Sequence, residues 1–157
     1  MFNWTRFPSI SESSKEIVIL YEDGETRVGI REALAKAVRQ SGYKCRISEW
    51  KFSMLDSPAM LKQAVEDTAT AEMIVVCARG NSELPEAVKV WTEQWLANKT
   101  TSTGIFIGLL DAAFGKGDTG AAILDYLMCA AAEGGFQWQR SYFQFKDFDG
   151  EIAAERI

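Results

Sequence analysis

Histidine is missing altogether from this chain of 157 residues. Its absence removes imidazole nucleophile triads, imidazole general bases and the commonest zinc ligand together. Catalysis, if there is any, has to rest on carboxylates, Lys, Arg, Cys, Tyr or a borrowed cofactor. Cysteine is scarce, and Cys45, Cys77 and Cys129 lie far apart with no metal-ligand spacing. An odd, scattered set reads as buried thiols in a reducing compartment, so a cytoplasmic location is expected. No apolar run approaches the roughly 18 residues that cross a bilayer, so no membrane partner is expected. Residues 1–15 carry neither a continuous apolar stretch nor a small-residue cleavage site. Excess basic charge is lacking as well: 17 Lys and Arg face 22 Asp and Glu, a net charge of −5. Nucleic acid is therefore not an expected partner, because phosphate neutralisation needs a concentrated basic surface.

What is present is the balance of a globular protein, 47% hydrophobic and 25% charged, in a length that suits one domain. Strand-like and helix-like segments alternate along it. EIVILY (Glu16–Tyr21), EMIVVCA (Glu72–Ala78) and TGIFIGLL (Thr103–Leu110) are continuous apolar runs that suit strands covered on both faces. Between them Tyr43 to Trp50 alternates, with Tyr43, Cys45 and Ile47 facing inward and Lys44, Arg46 and Ser48 outward, which marks a sheet edge. A last strand, Phe136 to Phe145, mixes aromatic and polar residues.

Four helices fit the gaps. The first runs from about Thr26 to Gln40, with Val28, Ala33, Leu34, Ala37 and Val38 as its apolar stripe and Gly42 suited to its left-handed cap. Ser57-Pro58 opens the second as serine cap and proline first turn. Leu84, Val88, Trp91 and Trp95 line the third, which runs to Ala97. Ala121 to Glu133 forms the fourth, closed by Gly134-Gly135, with Asp118 or Thr119 expected to cap it. The order βαβαβαβαβ predicts a three-layer α/β sandwich around a five-stranded parallel sheet. Strands one, three and four look doubly buried and two and five look like edges, which predicts the order 2-1-3-4-5. Residues 16–146 would form the body, with 1–15 an N-terminal extension whose Phe2, Trp4 and Phe7 pack onto it, and 147–157 a tail.

Sheets of this order bind ligands outside the carboxyl ends of the strands, where strands one and three part. There the sequence places Glu22, Asp23 and Glu25, then Trp50 and Lys51, then Arg79, Asn81 and Ser82, and Asp111. Glu22, Asp23, Arg79, Asn81, Ser82 and Asp111 are the candidate ligand-binding set. A phosphate cradle needs free backbone N–H groups among Ser, Thr and Gly, whereas the first loop is Glu22-Asp23-Gly24-Glu25-Thr26. No G-x-G-x-x-G or P-loop is present, and no cofactor or metal follows from the pattern. The simplest reading is that Arg79 bridges Glu22 or Asp23 while Asp111 and Asn81 cap turns. Cys77, lacking an imidazole partner, reads as an inert core thiol. Trp4, Trp50 and Trp138, in less regular segments, and the margin formed by Trp138, Phe143 and Phe145 suggest a protein partner or self-association.

The stretches LYEDGETR, AEMIVVCARGNSELPEAVKVWTEQWL and TGIFIGLLD resemble a set of short bacterial α/β proteins with a flavodoxin-like topology, shared with receiver and TIR-like domains. The resemblance spans roughly residues 17–111 and implies a bacterial origin and one αβ domain. A receiver's phosphoacceptor Asp would end the third strand, but Cys77, Ala78 and Arg79 stand there. A TIR-like domain would use a Glu early in the third helix, for which Glu83, Glu86 and Glu93 are available. Two functions follow as expectations. One is a non-catalytic regulatory or interaction domain; the other is a flavin- or nucleotide-binding enzyme using the pocket at the strand ends.

Overall fold

The computed structural model describes residues 15–41, 44–100 and 103–143. Its elements are β1 (Lys15–Tyr21), α1 (Gly24–Ser41), β2 (Cys45–Lys51), a 3-10 turn (Phe52–Asp56), α2 (Pro58–Ala69), β3 (Met73–Ala78), α3 (Glu86–Asn98), β4 (Ile105–Asp111), α4 (Asp118–Gly134) and β5 (Gln137–Phe143). All strand pairs are parallel and the order is β2-β1-β3-β4-β5. The fold is therefore the expected three-layer, flavodoxin-like α/β sandwich. Among the described residues no helix is long and apolar enough to cross a membrane.

Every residue of β3 and β4 is buried, which is why their sequences are apolar runs, broken only by Asp111 at the end of β4. The sheet separates two apolar layers. On one face α2, α3 and α4 cover Val18, Leu20, Ile74, Val76, Phe106 and Leu110. Trp91 and Trp95, both at 0% exposure, anchor α3 there, as their spacing predicts. The Trp91 indole N–H donates to Thr68 Oγ1 at 3.1 Å, and the Trp95 ring meets Phe136 edge-on at 5.8 Å. On the other face α1 covers Ile17, Ile19, Met73 and Val75.

Local chemistry sets the ends of the helices. Ser57 Oγ accepts the Met60 N–H at the start of α2, with Pro58 at the first position. At the end of α4 Gly135 adopts φ 77°, and Phe136 N–H returns to the Ala131 carbonyl at 2.9 Å. Two residues expected to face inward do not. Val28 is 46% exposed because the inward stripe of α1 is Thr26, Ile30 and Leu34, spaced by four. Ile47 is 42% exposed because α1 lies over β1 and β3 and leaves this edge strand uncovered. Asp118 and Thr119 do not cap α4 either. The helix begins at Asp118, and its cap residue is Gly117, with no side-chain hydrogen bond. Trp50 and Trp138 are half-buried, and the Trp50 indole donates to Asp67 at 3.2 Å. The side chains of Ala33, Ala37 and Val38, and all of Phe2, Trp4, Phe7, Gly42, Tyr43 and Phe145, lie outside the described residues.

Candidate functional site

The register ends β1, β3 and β4 along one edge, with Tyr21 beside Cys77 and Ala78 beside Leu110. From β1 the chain crosses to β2 on one side, while β3 lies on the other, so a crevice opens between their loops. The chain lines that crevice with its own charges.

Asp23 sits just before α1 and acts as its cap. Asp23 Oδ1 accepts the Thr26 N–H and Thr26 Oγ1 accepts the Asp23 N–H, each at 3.0 Å. The second carboxylate oxygen of Asp23 accepts from Arg79 Nε at 2.6 Å, and Arg79 Nη2 also donates to Glu25. Glu22 Oε1 takes the Arg79 backbone N–H at 3.0 Å, and the Glu22 N–H reaches the Cys77 carbonyl at 3.1 Å. Three consecutive-loop carboxylates thus converge on one arginine and join the β1–α1 loop to the β3–α3 loop.

The titration of these groups follows from that geometry. Burial tends to raise the Asp23 pKa, but the Arg79 hydrogen bond, the Thr26 amide and the guanidinium charge outweigh it and hold the carboxyl below its ordinary value. Arg79 is held above its ordinary value: burial tends to lower it, and hydrogen bonds to Asp23 and Glu25 overcome this. Beneath them Cys77 is fully buried, and its thiol lies 3.8 Å from the Thr26 carbonyl. Burial foremost, then the charges of Asp23, Glu22 and Asp111, pushes that thiol well up. A thiolate nucleophile is disfavoured there.

The other candidates do different work. Asp111, at 4% exposure, accepts the Ala113 N–H at 2.9 Å and shapes the β4–α4 turn, as a turn cap should. Asn81 is exposed and caps nothing among the described residues. Ser82 lines a cleft of about 430 Å³ together with Glu22, Asp23, Lys51, Phe52 and Glu83. On the far side of the 79–85 loop lies a second cleft of about 450 Å³, between the starts of α3 and α4. Glu83, Leu84, Lys89, Asp118, Thr119 and Tyr126 line it, with Ile123 and Ala122. The sequence pointed to Glu83 singly and to Asp118 and Thr119 only as caps, because these residues are scattered over a loop and two helices with no motif spacing. Among the described residues no group of three or more His, Cys, Asp or Glu side chains is placed to hold a metal ion.

The loops between the clefts meet backbone to backbone. Gly80, at φ 94°, lies so close to Gly115 that a Cβ on Gly80 would stand 3.0 Å from the Gly115 Cα. A Cβ on Gly120 would run into the Gly115 carbonyl. This glycine seam fixes the loop wall that the two clefts share.

No protein-family model matches the chain, and no curated protein does. Among solved structures it is similar to an NADH:FMN oxidoreductase (EMOB) in its apo form, with a TM-score of 0.57 and 17% identity over 90% of this chain and 84% of that one. It is also similar to a short-chain flavodoxin associated with a non-canonical PDU bacterial microcompartment, with a TM-score of 0.53 and 12% identity over 92% of this chain and 100% of that one. Both likenesses define the class of fold, a flavodoxin-like α/β domain.

Proposed function

We propose that this chain is a non-catalytic regulatory or protein-interaction domain of a bacterial cytosolic protein. The observation that carries the reading is the Asp23 carboxylate at the start of α1, bonded to the Thr26 amide and to Arg79. Flavodoxins, which have this strand order, hold FMN at the β1/β3 switch point, with anionic groups favoured at a helix N-terminus. Here the chain's own anion takes that place, and Glu22 and Glu25 flank it. A phosphate would have to displace Asp23 and settle among three carboxylates. Each unscreened like-charge contact at 4 Å opposes it by about 1 kcal/mol in water and about 4 kcal/mol at a protein-surface dielectric. The residues present do not fit FMN.

The alternative, a flavin- or nucleotide-binding enzyme, draws support from the two flavin-protein neighbours and from the cleft at the strand ends. Thermal unfolding with FMN, FAD, NADH and ATP separates the readings. A ligand at a hundred times its dissociation constant stabilises by about 2.7 kcal/mol. The expected result is no shift with any of the four. A reproducible shift with FMN, lost in Arg79→Ala, would overturn the interaction-domain reading in favour of the enzyme.

A further inference from the structure

At the cleft between α3 and α4 none of the charged groups makes an ion pair among the described residues. Glu83, Asp118 and Thr119 make no side-chain hydrogen bond or ion pair among the described residues. Lys89 has no carboxylate partner there either, and its ammonium stands 5.8 Å from the centre of the Tyr126 ring. Between these groups the lining is apolar. Leu84 is 7% exposed and Ile123 is 4% exposed, so they form a floor, and the half-buried Tyr126 ring is a wall. One cation, two anions and a hydroxyl therefore surround an apolar floor in a cleft of about 450 Å³.

We propose that this cleft binds a free α-amino acid with an apolar side chain. The ligand's ammonium is complementary to the carboxylates of Glu83 and Asp118, and its carboxylate to the ammonium of Lys89. Its side chain covers Leu84 and Ile123 against the Tyr126 ring. Charge excludes the obvious competitors. A phosphorylated ligand would meet two carboxylates and one lysine, and a purely apolar ligand would strip water from four polar groups without replacing their hydrogen bonds. A zwitterion satisfies both signs at once. Small-molecule sites have this composition, an apolar lining with a few convergent polar groups. The inference does not depend on the role of the crevice, because the two clefts share only Glu83 and Leu84.

The test is a ¹⁵N–¹H NMR titration of the full chain with L-leucine, N-acetyl-L-leucine and L-leucine methyl ester. L-Leucine is expected to shift the amide signals of Ala122, Ile123 and Tyr126 saturably at millimolar concentration. Acetylation removes the ammonium and should weaken binding at least about tenfold, as for loss of one partner from a charged hydrogen bond. Esterification removes the carboxylate and should weaken binding similarly. In Lys89→Met, which alters a half-buried surface residue, leucine and its ester should bind alike. No saturable shift at these amides, or equal binding of leucine and its acetyl derivative, overturns the proposal. Neither result bears on the flavin panel, so failure here and failure of the interaction-domain reading are distinguishable.

Discussion

The two clefts flank the same loop, yet one is tied and the other is not. At the β1/β3 crevice the three loop carboxylates have an internal partner: Asp23 and Glu25 meet the Arg79 side chain, and Glu22 meets its backbone. At the α3/α4 cleft Glu83, Lys89 and Asp118 have no ion pair among the described residues. Satisfied groups hold the fold together and resist a competing ligand. Unsatisfied groups beside an apolar floor contribute little to folding and leave their hydrogen bonds for something else. Both positions keep a cleft, about 430 Å³ at the strand ends and about 450 Å³ between α3 and α4, and they differ in how many of their carboxylates are already engaged.

The glycine seam supports both clefts, and breaking it should have the largest effect. Gly120→Ala places a methyl group against the Gly115 carbonyl, which belongs to backbone and cannot swing aside. The expected destabilisation is about 1–3 kcal/mol in urea unfolding. Gly117→Ala serves as the control, since its Cβ would meet the Phe114 carbonyl at an ordinary 3.4 Å. Equal effects at the two positions would mean that the seam does not constrain the loops.

Next in size is the tie itself. A double-mutant cycle on Asp23→Asn and Arg79→Met should return a coupling of about 1 kcal/mol, reduced from a buried pair's value by solvent screening. The corresponding cycle on Asp118→Asn and Lys89→Met should return none within error. A coupling at the second pair as large as the first would erase the distinction between the clefts.

Acid should loosen the tied crevice selectively. Asp23 titrates below its ordinary 3.8 in the folded chain, so its contribution is complete above the unfolded value. As pH falls through the lower folded value the contribution is lost, because the unfolded chain binds the proton more readily. Stability should therefore fall below about pH 4, and in Asp23→Asn that decline should be shallower. An unchanged acid limb in the variant, measured by urea unfolding at several pH values, would show that Asp23 is not the linked group.

Sequence revealed the scaffold better than the site, and particular residues show why. EIVILY, EMIVVCA and TGIFIGLL are apolar because both faces of β1, β3 and β4 are covered, and burial on two faces writes itself into composition. Val28 and Ile47 were misplaced because exposure there depends on where α1 crosses the sheet, which is a tertiary fact. The 3-10 turn was unreadable because Phe52 and Leu55, three apart, make a pattern too short for periodicity to register. The Arg79 tie was legible in outline, since loop order alone brings Glu22 and Asp23 to it. Glu25 was placed near it but not among the ligand candidates, and its bond to Arg79 depends on side-chain reach. The α3/α4 cleft was invisible because Asp118 and Thr119 look like helix caps until the helix is seen to begin at Asp118.

That misassignment frames the smallest expected effect. If Asp118 capped α4, replacing it by alanine would cost about 1 kcal/mol, the usual price of a lost cap. In this structure Gly117 is the cap residue and the Asp118 carboxylate makes no hydrogen bond among the described residues, so only its favourable placement near the helix N-terminus is lost. Asp118→Ala should therefore change stability by less than about 0.5 kcal/mol, in the range of ordinary surface substitutions. Lys89→Met should do the same, since a half-buried surface cation near one ring contributes about 0.5–1 kcal/mol and the methionine stem replaces part of that contact. Urea midpoints that move by a full cap's worth would place these side chains in the fold's own hydrogen bonding. Near-neutral midpoints, with leucine binding weakened in both variants, would separate the residues that build this chain from the residues it holds in reserve.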